Sequence, residues 1–107
     1  LTKINGRTLE ATLKTRNIDY EFEKELAFCF KFMFSSGIYN IDMNLTNIMF
    51  NEDTKKFSFI DFDKIIIDQS LANNLKYTTR VLNRFKKSLD RFELTQNFKL
   101  DVFISNL

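Results

Sequence analysis

The stretch between Glu21 and Gly37 constrains the fold more than any other part of the chain. Phe22, Leu26, Cys29, Phe30 and Met33 share one helical face, and Phe28, Phe32 and Phe34 make the second half apolar nearly all round. A helix of this kind has to be wrapped by the rest of its domain, so the whole Phe stripe is expected in the core. Its ends are marked as well. Asp19 is positioned to cap the N-terminus, Glu21 and Glu23 complement the helix dipole in the first turn, and Gly37 is a natural C-terminal stop. The chain has 107 residues, 44% of them hydrophobic, which suits one domain around such a helix and not two.

The other elements are read from pattern and turn chemistry. Leu1–Ile4 suggests a short extended piece ending in an Asn5-Gly6 turn, after which Thr8 caps a brief helix through Leu13. Ile48-Met49-Phe50 and Phe57-Ser58-Phe59-Ile60 flank the polar residues 51–56 and predict a β-hairpin. From Ser70 to about Phe92, Leu71, Leu75, Leu82, Phe85, Leu89 and Phe92 recur at helical intervals and predict a long amphipathic helix that buries them. Lys76, Arg80, Arg84, Lys87 and Arg91 form a basic stripe away from that seam; the ordinary reading is a solvated face, the functional one a surface for an anionic substrate. The tail from Thr95 suggests one more short packed helix or strand. The expected class is α+β, mainly helical, with one small β-hairpin.

Absent residues exclude much chemistry. There is no histidine, hence no histidine general base, no Ser-His-Asp or Cys-His pair and no ordinary zinc site. Two glycines, Gly6 and Gly37, cannot build a P-loop or a Gly-rich phosphate loop. A single cysteine, Cys29 between Phe28 and Phe30, cannot form an internal disulfide and reads as a small core residue of a reducing compartment. The net charge of +2 is too balanced to point to nucleic acid, and no apolar run approaches the roughly 20 residues that a bilayer requires. A cytoplasmic location is expected.

What remains is carboxylate chemistry with an oxygen-loving metal, and one region carries the parts for it. Asp42 precedes Asn47 by five positions, and Asp61 ends the second strand of the hairpin that follows. Phosphoryl transfer uses a carboxylate to orient the attacking hydroxyl, and an asparagine with a second carboxylate to hold magnesium against the phosphates. The spacing is that of protein kinases, where the catalytic-loop Asp, its Asn and the metal-binding Asp stand in this order. Asp and Asn also cap and turn loops through local hydrogen bonds, which is the plainer reading of Asp42 and Asn47; for Asp61 and Asp63 the plainer reading is a pair of solvated acids at a strand end.

In detail the chain resembles the bacterial lipopolysaccharide core kinases, including the 3-deoxy-manno-octulosonate (Kdo) kinases. Asp42-Met43-Asn44-Leu45-Thr46-Asn47-Ile48-Met49 is similar to their catalytic loop, and Ile60-Asp61-Phe62-Asp63 stands where protein kinases have Asp-Phe-Gly. Ile4–Leu9 looks like the interlobe hinge, and Asn74-Leu75 through Arg80, Arg84 and Ser88-Leu89 looks like the Arg-rich helix after the metal-binding Asp. Where the family has a histidine two residues before the catalytic Asp, this chain has Asn40.

The resemblance implies that residues 1–107 form a protein-kinase-like C-terminal lobe, with a hinge remnant at about 1–9 and the nucleotide-gripping N-lobe expected upstream. It implies an ATP- and magnesium-dependent kinase that phosphorylates a sugar hydroxyl of the core, on Kdo or heptose. Asp42 is then the catalytic carboxylate, Asn47 and Asp61 hold ATP through the metal, and Asp63 is either a further ligand or a replacement for the turn glycine. Arg80, Arg84 and Lys87 would face a lipid-linked anionic sugar at the inner surface of the membrane, and without the N-lobe the chain is expected to be inactive. Two alternatives stand beside this: an inactive kinase-like scaffold that binds a partner, and an aminoglycoside- or choline-type phosphotransferase with similar catalytic loops.

Overall fold

The computed structural model describes residues 6–15, 21–60 and 64–107. In chain order β1 (Arg7–Thr8) leads into α1 (Leu9–Lys14), followed by α2 (Phe22–Ser35), β2 (Ile38–Asn40), β3 (Ile48–Asn51), β4 (Lys56–Phe59) and β5 (Ile65–Ile67). A 3-10 turn at Gln69–Leu71 precedes α3 (Leu75–Arg91), and a second at Thr95–Asn97 precedes α4 (Leu100–Ser105). The result is a small α+β domain in which helices dominate and all strand pairs among the described residues are antiparallel. No helix among the described residues is long and apolar enough to cross a membrane.

The expected hairpin is β3–β4, with Met49 opposite Ser58 and Phe50 opposite Phe57. The Asn51 side chain accepts from the amides of Asp53 and Thr54, which closes the turn. On its other edge β3 pairs with β1, so the hairpin is part of a three-stranded sheet. Thr8 caps α1 as its sequence position suggests, its hydroxyl accepting from the Ala11 amide at 3.1 Å.

Phe30 stands at the centre of the packing. Its ring meets Phe34 of α2, Phe59 of β4, Phe85 of α3 and Phe103 of α4 at centroid distances of 5.9, 6.1, 5.3 and 5.1 Å, all edge to face. Such ring pairs add to the burial of large apolar surfaces, so one side chain joins four elements.

A second sheet, β2 with β5, is absent from the sequence reading; Tyr39 lies opposite Ile66 in it. Gly37 makes it possible. Its φ is +73°, and a Cβ there would stand 2.0 Å from the Asp68 carbonyl oxygen, so only glycine lets the end of α2 pass this close to β5. The buried Tyr39 hydroxyl donates to the Leu71 carbonyl at 2.6 Å and accepts from the Asn74 amide at 2.9 Å, fixing the start of α3 against β2.

Several expectations need correction. The stripe on α2 is not wholly core: Phe28 and Phe32 are 46% and 68% exposed, because α3, α4 and the hairpin gather on the Phe22–Leu26–Phe30–Phe34 side. Lys24 reaches over the Phe28 ring at 6.0 Å. Cys29 is half-buried rather than a core residue, and burial, helped by nearby Glu25, raises its thiol pKa and suppresses the thiolate. The long helix starts at Leu75, not Ser70. Asp68 and Asn74 each accept from a nearby amide, so a separate 3-10 turn and a new cap interrupt the pattern. Leu75, at that new first turn, is 79% exposed instead of buried. Asp19 and residues 1–5 lie outside the described residues; Glu21 occupies the N-cap of α2 without a side-chain cap bond.

Truncating Phe30 to alanine should cost about 3–5 kcal/mol, the usual range for a large buried aromatic. Phe32→Ala, on the same helix, should stay within about 0.5 kcal/mol. The denaturant midpoints of the two variants check this, and equal losses would refute the assigned packing.

Candidate active site

The segment between β2 and β3 carries Asp42 and Asn47, and its shape follows from which side chains it buries. Met43, Leu45 and Asn47 are buried, while Asp42 before them and Asn44 between them remain partly accessible. Leu45 is held from below by α3: the buried Ser88 hydroxyl accepts from the Leu45 amide at 2.9 Å.

Three asparagines then fix the backbone of Asp42 on both sides. Asn40 Oδ1 accepts from the Asp42 amide at 3.0 Å. The Asp42 carbonyl accepts from Asn44 Nδ2 at 3.1 Å and from Asn47 Nδ2 at 3.0 Å. Asn40, which stands where the resembled pattern has a histidine, is 4% exposed and clamps the Asp42 amide through its side chain.

The bond to a carbonyl also settles which way the Asn47 amide faces. A carbonyl can only accept, so Asn47 must offer it Nδ2, which leaves Oδ1 as a spare acceptor. Asn47 is 6% exposed, and among the described residues its Oδ1 accepts no hydrogen bond. A buried carbonyl oxygen without a donor is costly unless something fills the role, and a hard cation is a suitable occupant.

The Asp42 carboxylate meets the basic stripe. Its Oδ1 accepts from Arg84 Nη2 at 2.8 Å and from Nε at 3.1 Å. Arg84 and Asp42 side chains keep 51% and 34% of their surface exposed, so a pair of this kind is worth roughly 0–1 kcal/mol and breaks readily. Around it lies an open cavity of about 460 Å³ lined by Ile41, Asp42, Lys64, Arg80, Asn83, Arg84 and Lys87. Arg80, Arg84 and Lys87 project into one region because their spacings of four and three place them on one helical face. Lys76 of the same stripe does not line it, and Arg91 borders a smaller recess beside Asn44.

Asp61 and Asp63 lie outside the described residues. Their described neighbours are held at the two ends of the Asp42 segment: the Ile60 amide donates to the Asn47 carbonyl at 2.9 Å, and the Ile41 amide to the Lys64 carbonyl at 3.3 Å. Among the described residues no three acids or cysteines form a cluster that could hold a metal.

Of the residues singled out from the sequence, Asp42, Asn47, Arg80, Arg84 and Lys87 thus come together in one region. The positioning roles of Asn40, Asn44 and Ser88, and the place of Lys64 and Asn83 beside Asp42, were not foreseen. Ser88 left a signal, a small polar residue within the apolar Phe85–Leu89 seam. Lys64 left none, since its position depends on the β2–β5 pairing. No protein-family model matches the chain, and no curated protein sequence is matched by it.

Ser88→Ala removes the acceptor from a buried amide and should cost about 1–3 kcal/mol. Arg84→Gln removes a half-exposed ion pair and should cost at most about 1 kcal/mol. Urea unfolding of both variants tests the contrast, which fails if Arg84→Gln is the more damaging.

Proposed function

We propose that the chain is the C-terminal lobe of a kinase-fold phosphotransferase, acting with ATP and magnesium on a hydroxyl of an anionic sugar, with the lipopolysaccharide core, Kdo or heptose, as the acceptor. The observation that carries this reading is the state of Asn47: one end of its buried amide holds the Asp42 backbone, and the other accepts no hydrogen bond among the described residues, which leaves it as an oxygen donor. A turn-forming asparagine needs only the first. Phosphoryl transfer needs both, a positioned carboxylate and a neighbouring oxygen ligand.

In this reading Asp42 would orient the acceptor hydroxyl and take its proton as the γ-phosphoryl group passes to that oxygen, the bond to the bridging oxygen breaking and ADP leaving. Asn47 Oδ1 and the Asp61 carboxylate would hold magnesium, and Asp63 is either a further oxygen donor or a replacement for the turn glycine. When bound, the metal neutralises charge developing on the phosphoryl group. The anchoring of Ile60 to Asn47 and of Lys64 to Ile41 supports a common site for these residues. ATP itself needs a lobe that supplies a lysine and a phosphate-covering loop, for which the two glycines of this chain provide no material. Arg80, Arg84 and Lys87 would face the anionic, lipid-linked acceptor at the membrane surface.

One observation favours a second reading, an inactive binding scaffold: the Asp42 carboxylate, which should await a hydroxyl, is engaged by Arg84. The exposure of that pair keeps the first reading ahead, because a bound substrate can displace it at little cost.

In a protein that joins this chain to a nucleotide-binding lobe, Asp61→Asn should abolish turnover by weakening metal binding. Asp42→Asn should lower kcat by two orders of magnitude or more with ATP affinity nearly kept. Phosphate transfer measured with labelled ATP separates the readings, and near wild-type rates in both variants would establish the scaffold.

A further inference from the structure

Among the described residues, four cations, Lys64, Arg80, Arg84 and Lys87, share the cavity with one carboxylate, Asp42. Among the described residues Lys64, Arg80 and Lys87 form no ion pair, and Arg84 has Asp42 alone. They come from two separated parts of the fold: Lys64 precedes β5, and the others lie on α3. A merely solvated stripe would stay on one helix. This one closes around a concavity whose volume, about 460 Å³, lies within the roughly 300–1,000 Å³ of small-molecule sites. Two of the four cations are arginines, the side chain suited to paired hydrogen bonds with phosphate oxygens.

We propose that this cavity binds a phosphate monoester carried by the acceptor, and that Arg84 passes from Asp42 to that phosphate when the acceptor arrives. The coupling rests on the phosphotransferase reading, but the anion site does not. Before binding, Arg84 occupies Asp42 Oδ1, which keeps the carboxylate from engaging a chance hydroxyl. An incoming phosphate offers Arg84 more negative charge and several acceptor oxygens, with Arg80, Lys87 and Lys64 to share it. Asp42 is then uncovered beside an acceptor already held by its phosphate. The cavity thus selects a phosphorylated acceptor and releases the base only for it. No covalent step is involved; one ion pair is exchanged for another.

The exchange makes a prediction that ordinary charge attraction also makes only in part. Inorganic phosphate can be titrated at low ionic strength into the 15N-labelled 107-residue chain, following the arginine Nε–H resonances. The Arg80 and Arg84 signals should shift saturably, and Arg84→Gln should weaken binding tenfold or more. Asp42→Asn should strengthen it several-fold by removing the competing carboxylate, whereas Asp53→Asn, the same charge change at an exposed site away from the cavity, should leave it within twofold. Lys76→Gln, on the same helix but outside the cavity, should also leave it within twofold.

The proposal is overturned if phosphate fails to bind, if Asp42→Asn strengthens binding no more than Asp53→Asn does, or if Lys76→Gln weakens it as much as Arg84→Gln does. Shifts produced by phosphatidic acid in phosphatidylcholine vesicles, but not by inorganic phosphate, overturn the cavity as a small-anion site. None of these readouts requires ATP or turnover, so a chain that binds phosphate in this manner while its lobe-joined Asp42→Asn form keeps full activity retains the anion site and loses the phosphotransferase reading.

Discussion

The whole domain is organised by the ring of Phe30, which touches residues from α2, β4, α3 and α4 at once. A large aromatic side chain in a close-packed interior has few acceptable neighbours, so these contacts hold the hairpin and two helices in one arrangement. The position of α3 that results puts Phe85 on Phe30, Ser88 under the Leu45 amide and Arg84 on Asp42. One helix therefore joins the core to the candidate site, with its buried face setting the location and its exposed face setting the charge.

Around Asp42 the same economy is visible in the loop. Asparagine can donate and accept, and three of them use both abilities to hold one residue's amide and carbonyl. This leaves the carboxylate side chain uninvolved in supporting its own loop. The spare oxygen on Asn47 has no structural task among the described residues.

Features that depend on local pattern were legible in the sequence. The Thr8 cap, the body of α2, the β3–β4 hairpin and the body of α3 follow from capping chemistry and periodicity. Features that depend on distant partners were not. The β2–β5 pair joins two three-residue segments more than twenty residues apart, too short to declare themselves, and it brings Lys64 to Asp42. Phe28 and Phe32 show the limit of hydrophobicity as a guide, since an apolar helix is buried only where neighbours exist to cover it. At the site, the spacing singled out Asp42 and Asn47 together, and Asn47 does bond the Asp42 carbonyl, but the bracing by Asn40 and Asn44 and the pairing with Arg84 required the fold.

The central claim is that the Asn47 side chain is both a brace for Asp42 and a metal ligand. Manganese, a paramagnetic substitute for magnesium, tests it directly when titrated into the 15N-labelled chain, because relaxation enhancement falls steeply with distance from the ion. The account predicts selective broadening of the Asn47 side-chain amide and the Asp42–Asn47 backbone, reduced by Asp61→Asn. Broadening centred instead on exposed acids such as Glu52 and Asp53, with the Asn47 amide unaffected, would contradict it.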